Sequence, residues 1–411
     1  MTGRRVIALA LVVGGALVGA AGVALIGVLA LLVDWLATLW TRHGLDHLTY
    51  ERTLERDRAV WGDLVEVRLD VRNAKLLPIP WLEVEDFATD TLTIVDRPLE
   101  SSDRPGLGVV RTRWTVGPFQ RATRTAHILA DRRGIFRFGP VRRQVADLFA
   151  PSSVHAEDAQ PASLVVRPRT VPVLTQNPGR PFMGTLRSRR SLVEDPSHFA
   201  GVRPFQPGDP RRRIHARASA RLGTPVSRRY DPAITRTVLV VLNIQTQDGP
   251  SWLLQYDDDL AESLIVTAAS LARHALAEGA AVGLVANGWT HTRARFAFVD
   301  PATGTGQLSR IEDVLGRLSS TPSLPFARML AGLPARVPAG CLLYVVSSGD
   351  PAPDCGVLRR LDASGLEVQF VALGPRRLEW QRRARARGLR STAAALEPDW
   401  RTSRAVVLGA G

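Results

Sequence analysis

The chain has 411 residues, room for two or three domains with a sizeable core, and a formal net charge of +14. Lys75 is the only lysine, so arginine carries the surplus, yet no interleaved aromatic run, zinc-knuckle spacing or nucleic-acid module accompanies it. Those features argue against a nucleic-acid partner and leave an anionic membrane surface as one explanation. The two cysteines, Cys341 and Cys355, are too few for a disulfide framework or a cysteine-held zinc.

Arg4 and Arg5 precede a run of 35 residues, Val6 to Trp40, broken by one charge at Asp34. A single helix needs about 20 residues to span a bilayer. The Gly19-Ala20-Ala21-Gly22 stretch predicts a turn, and so two short transmembrane helices at about 6–20 and 23–40. Arg4 and Arg5 before the run, and Arg42 after it, place both ends in the cytoplasm, with Trp35 and Trp40 at the interface. Residues 1–44 are thus read as a multi-pass inner-membrane anchor.

From 45 to 170 the pattern becomes short alternating runs. Leu64 to Val71 alternates with period two, and Trp81–Val84, Leu92–Val95, Val109–Val116, Ala126–Leu129 and Val141–Val145 read alike. Turn residues at Asn73, Pro78, Pro105-Gly106 and Gly117-Pro118 separate them, which predicts a β-sandwich. Asp131 to Pro140 reads as a hairpin corner. Residues 171–198 read as a linker.

Residues 199–234 carry the densest charge. Between 180 and 229 twelve arginines face three acids, nine of the net +14. An extended run through Gly201, Arg203 and Phe205 meets a turn at Pro207-Gly208-Asp209. Asp209 as N-cap and Pro210 at the first position predict a helix to about Leu222, stopped by Gly223. Arg213, Arg217 and Arg221, four apart, then share one face. A guanidinium row beside that turn is suited to clamping carboxylates within the protein or on a partner, with Asp209 pairing an arginine such as Arg203 or Arg213.

The segment G-x-R-x-F-x-P-G-D-x-x-R-R-I-H-x-x-x-S-A-R, carried by Arg203, Phe205, Pro207, Gly208, Asp209, Arg212, Arg213, Ser219 and Arg221, resembles the signature of the bacterial domain of unknown function 58 proteins. Ala216 stands where that pattern usually has Trp. The resemblance implies a partner-binding segment and association with a MoxR-type AAA ATPase, in complex assembly or cell-envelope work beside other membrane proteins.

From 235 to 411 strands and helices alternate. Val238–Leu242 is a continuous apolar run, as in a strand buried on both faces. A helix follows at Leu253–Glu278. Strands are expected at Ala281–Ala286, Arg295–Val299, Leu342–Val346, Val368–Leu373 and Val406–Leu408, with helices near 306–318, 354–363 and 376–388. This is an open, mostly parallel sheet and resembles a von Willebrand factor type A domain. In such domains the first strand ends in Asp-x-Ser-x-Ser, hard oxygen ligands for a divalent metal. Here Asn243, Gln245 and Gln247 stand instead, so the site reads as degenerate, with no metal or other cofactor, and only Asp350 remains near the later strand. Asp257-Asp258-Asp259 reads as helix-start acids. No nucleophile with helpers and no phosphate loop appears. The chain reads as a membrane-anchored scaffold or binding protein and not an enzyme, with a metal-dependent adhesion module as the alternative.

Overall fold

The structure is a computed structural model and describes residues 2–146, 153–176, 194–206, 209–232, 236–247, 256–290, 294–397 and 399–409. The chain divides into two compact units, Met1–Arg167 and Pro168–Gly411.

The first unit opens with helices α1 (Thr2–Leu17) and α2 (Ala21–His43). Both differ by a few residues from the expected bounds, because Arg4 and Arg5 are drawn into the first turns of α1 and Arg42 into the last turn of α2. The two helices pack antiparallel at very close range. A Cβ on Gly15 would lie 2.5 Å from the Ala24 nitrogen, and one on Gly27 would lie 2.7 Å from the Val12 nitrogen. Only glycine admits such an approach. Arg5 donates from Nε to the Asp34 carboxylate at 2.5 Å and from its terminal nitrogen to Thr38 Oγ1 at 2.7 Å, tying the start of α1 to the end of α2. Val6, Ile7, Leu25, Ile26, Leu29 and Leu32 are exposed on the outside of the pair. One of the two helices, over Ala21–Trp40 with mean hydropathy 2.2, is long and apolar enough to cross a membrane.

Eleven strands follow: β1 (Leu48–Leu54), β2 (Arg58–Val60), β3 (Leu64–Asn73), β4 (Ile79–Thr89), β5 (Thr93–Ile94), β6 (Glu100–Ser101), β7 (Leu107–Val116), β8 (Arg121–Leu129), β9 (Gly134–Ala146), β10 (Ser153–Asp158) and β11 (Ala162–Arg167). They form a sheet of order β1-β3-β8-β5 and a second of order β2-β11-β9-β4-β7-β6, with β10 on β9. Val65, Val67, Leu69 and Val71 of β3 share one apolar core with Leu82, Val84 and Trp114 of the other sheet, as the period of two requires. The expected corner at Asp131–Pro140 is only half a corner. Asp131–Arg133 turns, and from Gly134 the chain runs on as one long strand paired with β4 and β11. A buried polar cluster crosses between the sheets. The Tyr50 hydroxyl donates to Asp86 at 2.9 Å, and Arg52, its side chain 2% exposed, pairs with the same carboxylate and donates to the Gln160 carbonyl at 2.7 Å. Burial pushes the Asp86 carboxyl up against the opposing pull of Arg52.

Helix α2 is fastened to the sandwich through its free carbonyls. The Lys75 ammonium donates to the carbonyls of His43, Gly44 and Asp46, the last two at 2.6 and 2.7 Å, and the Trp40 indole donates to the Pro78 carbonyl at 2.8 Å. A cation at the negative end of the helix is favoured by its dipole as well. Burial lowers the Lys75 pKa while Asp46 opposes the shift.

The second unit begins with β12 (Val173–Thr175), β13 (Glu194–Pro204), α3 (Ala216–Leu222), β14 (Val226–Pro232) and β15 (Thr237–Leu242). It continues with α4 (Asp258–Ala277), β16 (Ala281–Ala286), β17 (Gly288–Thr290), β18 (Ala297–Ala302), α5 (Thr305–Gly316), β19 (Leu318–Pro322) and α6 (Phe326–Ala331). It ends with β20 (Leu342–Ser347), α7 (Cys355–Ala363), β21 (Glu367–Ala372), α8 (Arg377–Ala386), β22 (Arg390–Leu396) and β23 (Val406–Leu408). The main sheet has the order β12-β23-β22-β21-β20-β15-β16-β18. Its central pairs are parallel, and β18 and β23 pair antiparallel with their inner neighbours. Residues 171–198 are therefore more than a linker, because β12 joins the sheet beside β23. Leu239 and Val241 pack on one face with Met329, Leu358 and Trp380, and α4 covers the other side of β15 and β16. Helix α4 starts at Asp258, later than expected, with Asp257 as its cap, its carboxylate accepting from Leu260 N at 2.9 Å; residues 248–255 lie outside the described residues.

Replacing Lys75 with Met keeps the aliphatic stem and removes the three bonds to the end of α2. We expect a loss of about 1–2 kcal/mol in the thermal stability of the detergent-solubilised chain, with faster amide exchange confined to residues 43–48.

Candidate functional site

Two places in the second unit gather the residues singled out from the sequence. The first is the arm formed by β13, α3 and β14, which pair with each other as a two-stranded sheet separate from the main one. Val202 lies opposite Arg228, and Arg203 opposite Ser227. Pro207 and Gly208 lie outside the described residues. The expected helix from Pro210 is not formed. Pro210 is extended (φ −62°, ψ 128°), Arg211–Arg213 make a single 3-10 turn, and Ile214 is extended and bridges to Ser227. Helix α3 begins only at Ala216, and its cap is His215, whose Nδ1 accepts from Ala218 N at 3.1 Å. Gly223 does stop it, in the left-handed conformation (φ 68°) that glycine adopts without strain. Arg213 is therefore off the helix, and only Arg217 and Arg221 share its face.

Asp209 is released from capping because it has another task. Its carboxylate accepts both arms of the Arg203 guanidinium, at 2.8 and 2.6 Å, together with Gln206 N at 3.1 Å and the buried Ser227 hydroxyl at 3.0 Å. This two-pronged pair is geometrically demanding and fixes both side chains. Arg203 first, then the Gln206 amide, holds the Asp209 carboxyl down to about 2. Ser219 accepts from Val226 N at 3.0 Å and Phe205 N donates to the Pro225 carbonyl at 3.0 Å, so both tie the turn to the returning strand. Arg211, Arg212, Arg217, Arg221 and Arg228 are exposed, and none has an ion-pair partner among the described residues.

The second place lies at the carboxyl ends of β15 and β20. The strand order reverses between them, and open parallel sheets carry their ligand crevices at such points. Asn243 follows β15, Asn287 follows β16 and Ser347 ends β20; all three are buried. Asn287 donates to the Asn243 side-chain oxygen at 2.9 Å and accepts from Ile244 N at 2.8 Å. Asn243 donates to the Ser347 hydroxyl at 3.2 Å and also accepts from Gln245 N at 3.2 Å. Gln245 turns back to the Gln247 carbonyl at 2.9 Å, and Ser348 donates to the Gln245 carbonyl at 3.3 Å. Asp350 is engaged by Arg383 at 2.6 Å, and the Trp380 indole bonds the Ser348 carbonyl at 2.9 Å. The amides thus satisfy one another, and the Asp350 carboxylate already has a cation. Among the described residues no group of three or more His, Cys, Asp or Glu is arranged to hold a metal. Asn287 and Arg383 escaped the sequence reading. A polar residue directly after a buried apolar strand was the signal for Asn287; nothing local marks Arg383, which reaches Asp350 from α8.

The acidic triplet is put to structural use. Asp257 caps α4, and Asp259 pairs with Arg401 at 2.6 Å and accepts from the Trp400 indole at 3.3 Å.

Asp209→Asn and Arg203→Gln should each speed amide exchange across β13 and β14, and the double variant should be no faster than the worse single one. Because the folded Asp209 pKa is depressed from 3.8 to about 2, its contribution is complete above the unfolded value and disappears as pH falls through the folded one. Protection of the arm amides, taken relative to their intrinsic exchange rate at each pH, should therefore fall on acidification below about pH 4 in the parent and stay flat in Asp209→Asn. At the crevice, Asn287→Ala leaves the Ile244 amide and the Asn243 oxygen short of partners, and urea denaturation should register a cost of about 1–3 kcal/mol.

No family model matches the chain, and no curated protein matches it. Among solved structures, the CARDB domain of the PF1109 protein from Pyrococcus furiosus is 16% identical over 29% of this chain and 91% of that one, with a TM-score of 0.19. A beta-glucosidase from Listeria innocua is 11% identical over 29% of this chain and 16% of its own, with a TM-score of 0.20. Alpha-2-macroglobulin of E. coli is 21% identical over 30% of this chain and 7% of its own, with a TM-score of 0.21. Likenesses at these TM-scores carry no argument about the activity of this chain.

Proposed function

We propose that this chain is a membrane-anchored binding protein of the domain of unknown function 58 kind, in which a von Willebrand factor type A-like domain works with a MoxR-type AAA ATPase in complex assembly or cell-envelope processes. On this reading α1 and α2 form a membrane hairpin with both chain ends in the cytoplasm. The glycine-lined contact between the helices and the apolar outer surface support it. The observation that carries the binding role is the crevice at the reversal of strand order. Ligand-binding or reacting groups are expected there, and Asn243, Asn287 and Ser347 instead spend their bonding capacity on each other. A crevice whose polar floor is already satisfied suits a binding role better than turnover of a substrate. It also supports reading Asn243, Gln245 and Gln247 as a site that has lost its metal, against the alternative of a metal-dependent adhesion module, because neutral amides offset little of the cost of dehydrating a divalent ion.

The tagged full-length chain, extracted in mild detergent, is expected to co-purify with a MoxR-type AAA ATPase of its own cell, and the two purified proteins to bind each other directly. Absence of both results overturns the partnership. Mg²⁺ or Mn²⁺ at millimolar concentration should leave the melting temperature of the full chain unchanged. A stabilisation that grows with metal concentration and vanishes in Asp350→Ala would favour the adhesion module instead.

A further inference from the structure

Several arginines elsewhere in the chain are matched. Arg111 pairs with Glu85 and Glu100, Arg113 with Glu83, Arg121 with Asp70, and Arg383 with Asp350 and Glu379. The arm gathers five exposed arginines on one small element. Arg211 and Arg212 on the 3-10 turn, Arg217 and Arg221 on α3, and Arg228 on β14 are exposed without an ion-pair partner among the described residues. Asp209, the acid on the same turn, is already paired with Arg203. Next to Arg221 the α3 helix ends on Leu222, which is 59% exposed.

We infer that this arm is a membrane-surface reader: the exposed guanidinium groups of Arg211, Arg212, Arg217, Arg221 and Arg228 dock on the phosphates of anionic lipid headgroups, with Leu222 entering the interface beside them. The inference rests on α2 spanning the bilayer. If it does, and since no later helix among the described residues is long and apolar enough to cross again, the arm lies on the side where His43 emerges, and the flanking Arg4, Arg5 and Arg42 make that the cytoplasmic side, where anionic lipids concentrate. Tethering by α2 raises the local concentration of headgroups, so even modest contacts are populated. The planar guanidinium fork matches phosphate oxygens in pairs, and an apolar residue flanked by arginines is the arrangement used at the boundary between headgroups and acyl chains. Arg203 and Asp209 have a separate, internal role: their pairing holds the arm in shape so that its charges face outward. An acidic protein surface is the competing occupant, but it has no equivalent of the exposed Leu222 to explain.

The test uses the full chain with Leu222→Cys carrying a polarity-sensitive dye; Cys341 and Cys355 are buried and do not compete for the label. The protein is reconstituted into vesicles of phosphatidylcholine alone, or with about one-third phosphatidylglycerol. Dye emission should shift to the blue only in the anionic vesicles, and should return when salt is raised to about 1 M, where the screening length falls to about 3 Å. Adding Arg217→Gln and Arg221→Gln should abolish the shift, and Arg217→Lys with Arg221→Lys should retain most of it. An equal shift on neutral vesicles, no shift on either, or a shift that requires a soluble acidic protein overturns the inference. Flotation with both kinds of vesicle reports anchoring by α2 separately. A chain that floats with neither overturns the anchoring itself, and the placement of the arm with it.

Discussion

Most polar groups carried into the interior of this chain find a partner there, and that constraint shapes each unit. In the sandwich the problem is a charged pair. Arg52 and Asp86 are both taken from water, and such a pair holds only when its geometry is good and its remaining donors are satisfied. Tyr50 and the Gln160 carbonyl supply most of those bonds and link the two sheets, leaving the buried Arg52 Nε without an acceptor among the described residues. In the parallel-sheet unit the problem is neutral, and amides and hydroxyls at three strand ends solve it among themselves. In the arm one carboxylate satisfies a guanidinium, a backbone amide and a hydroxyl together. The arm and the crevice are thereby fixed in shape before any partner arrives.

The legible part of the fold was the part governed by period. Val65 to Val71 alternates because one face of β3 is wet, and Val238 to Leu242 is unbroken because β15 is covered on both sides. The elements that escaped have either weak composition or distant partners. Strand β22 is rich in alanine and serine, a poor strand signal, and is held by β21 and β23. Strand β12 sits among prolines and is recruited by Val406–Leu408 at the far end of the chain. No local pattern could have announced either pairing.

The start of α3 shows how a good local signal loses. Asp followed by Pro is a sound helix opening, since the acid can cap and the ring needs no donor. Here the Asp209 side chain is held by Arg203 and Ser227, so Pro210 remains extended and Ile214 pairs with the returning strand. The helix is postponed until His215 provides a replacement cap. The expected charge pairing of Asp209 and its expected capping were competing uses of one carboxylate, and a two-pronged charge-assisted pair outweighs a single cap bond. Arg203 was identifiable as the partner only in the alternative with Arg213, because which guanidinium reaches the turn depends on the register of β13 against β14.

The distribution of arginine also separates composition from design. A chain with one lysine carries guanidinium groups wherever a cation is needed, so their number says little about a partner. Their pairing says more. Across β4 and β7, Arg111 and Arg113 meet Glu85 and Glu83 on facing strands, where opposite charges stabilise the register. Lys75 itself is spent on the carbonyls that end α2, a point charge serving three acceptors that a planar fork would satisfy less evenly. In the arm Arg203 is paired with Asp209, while Arg211, Arg212, Arg217, Arg221 and Arg228 are exposed with no carboxylate partner among the described residues. A fold that brings Glu85 and Glu83 to Arg111 and Arg113 across one sheet, yet leaves five arginines of one hairpin exposed, carries charge there that an external anion can answer.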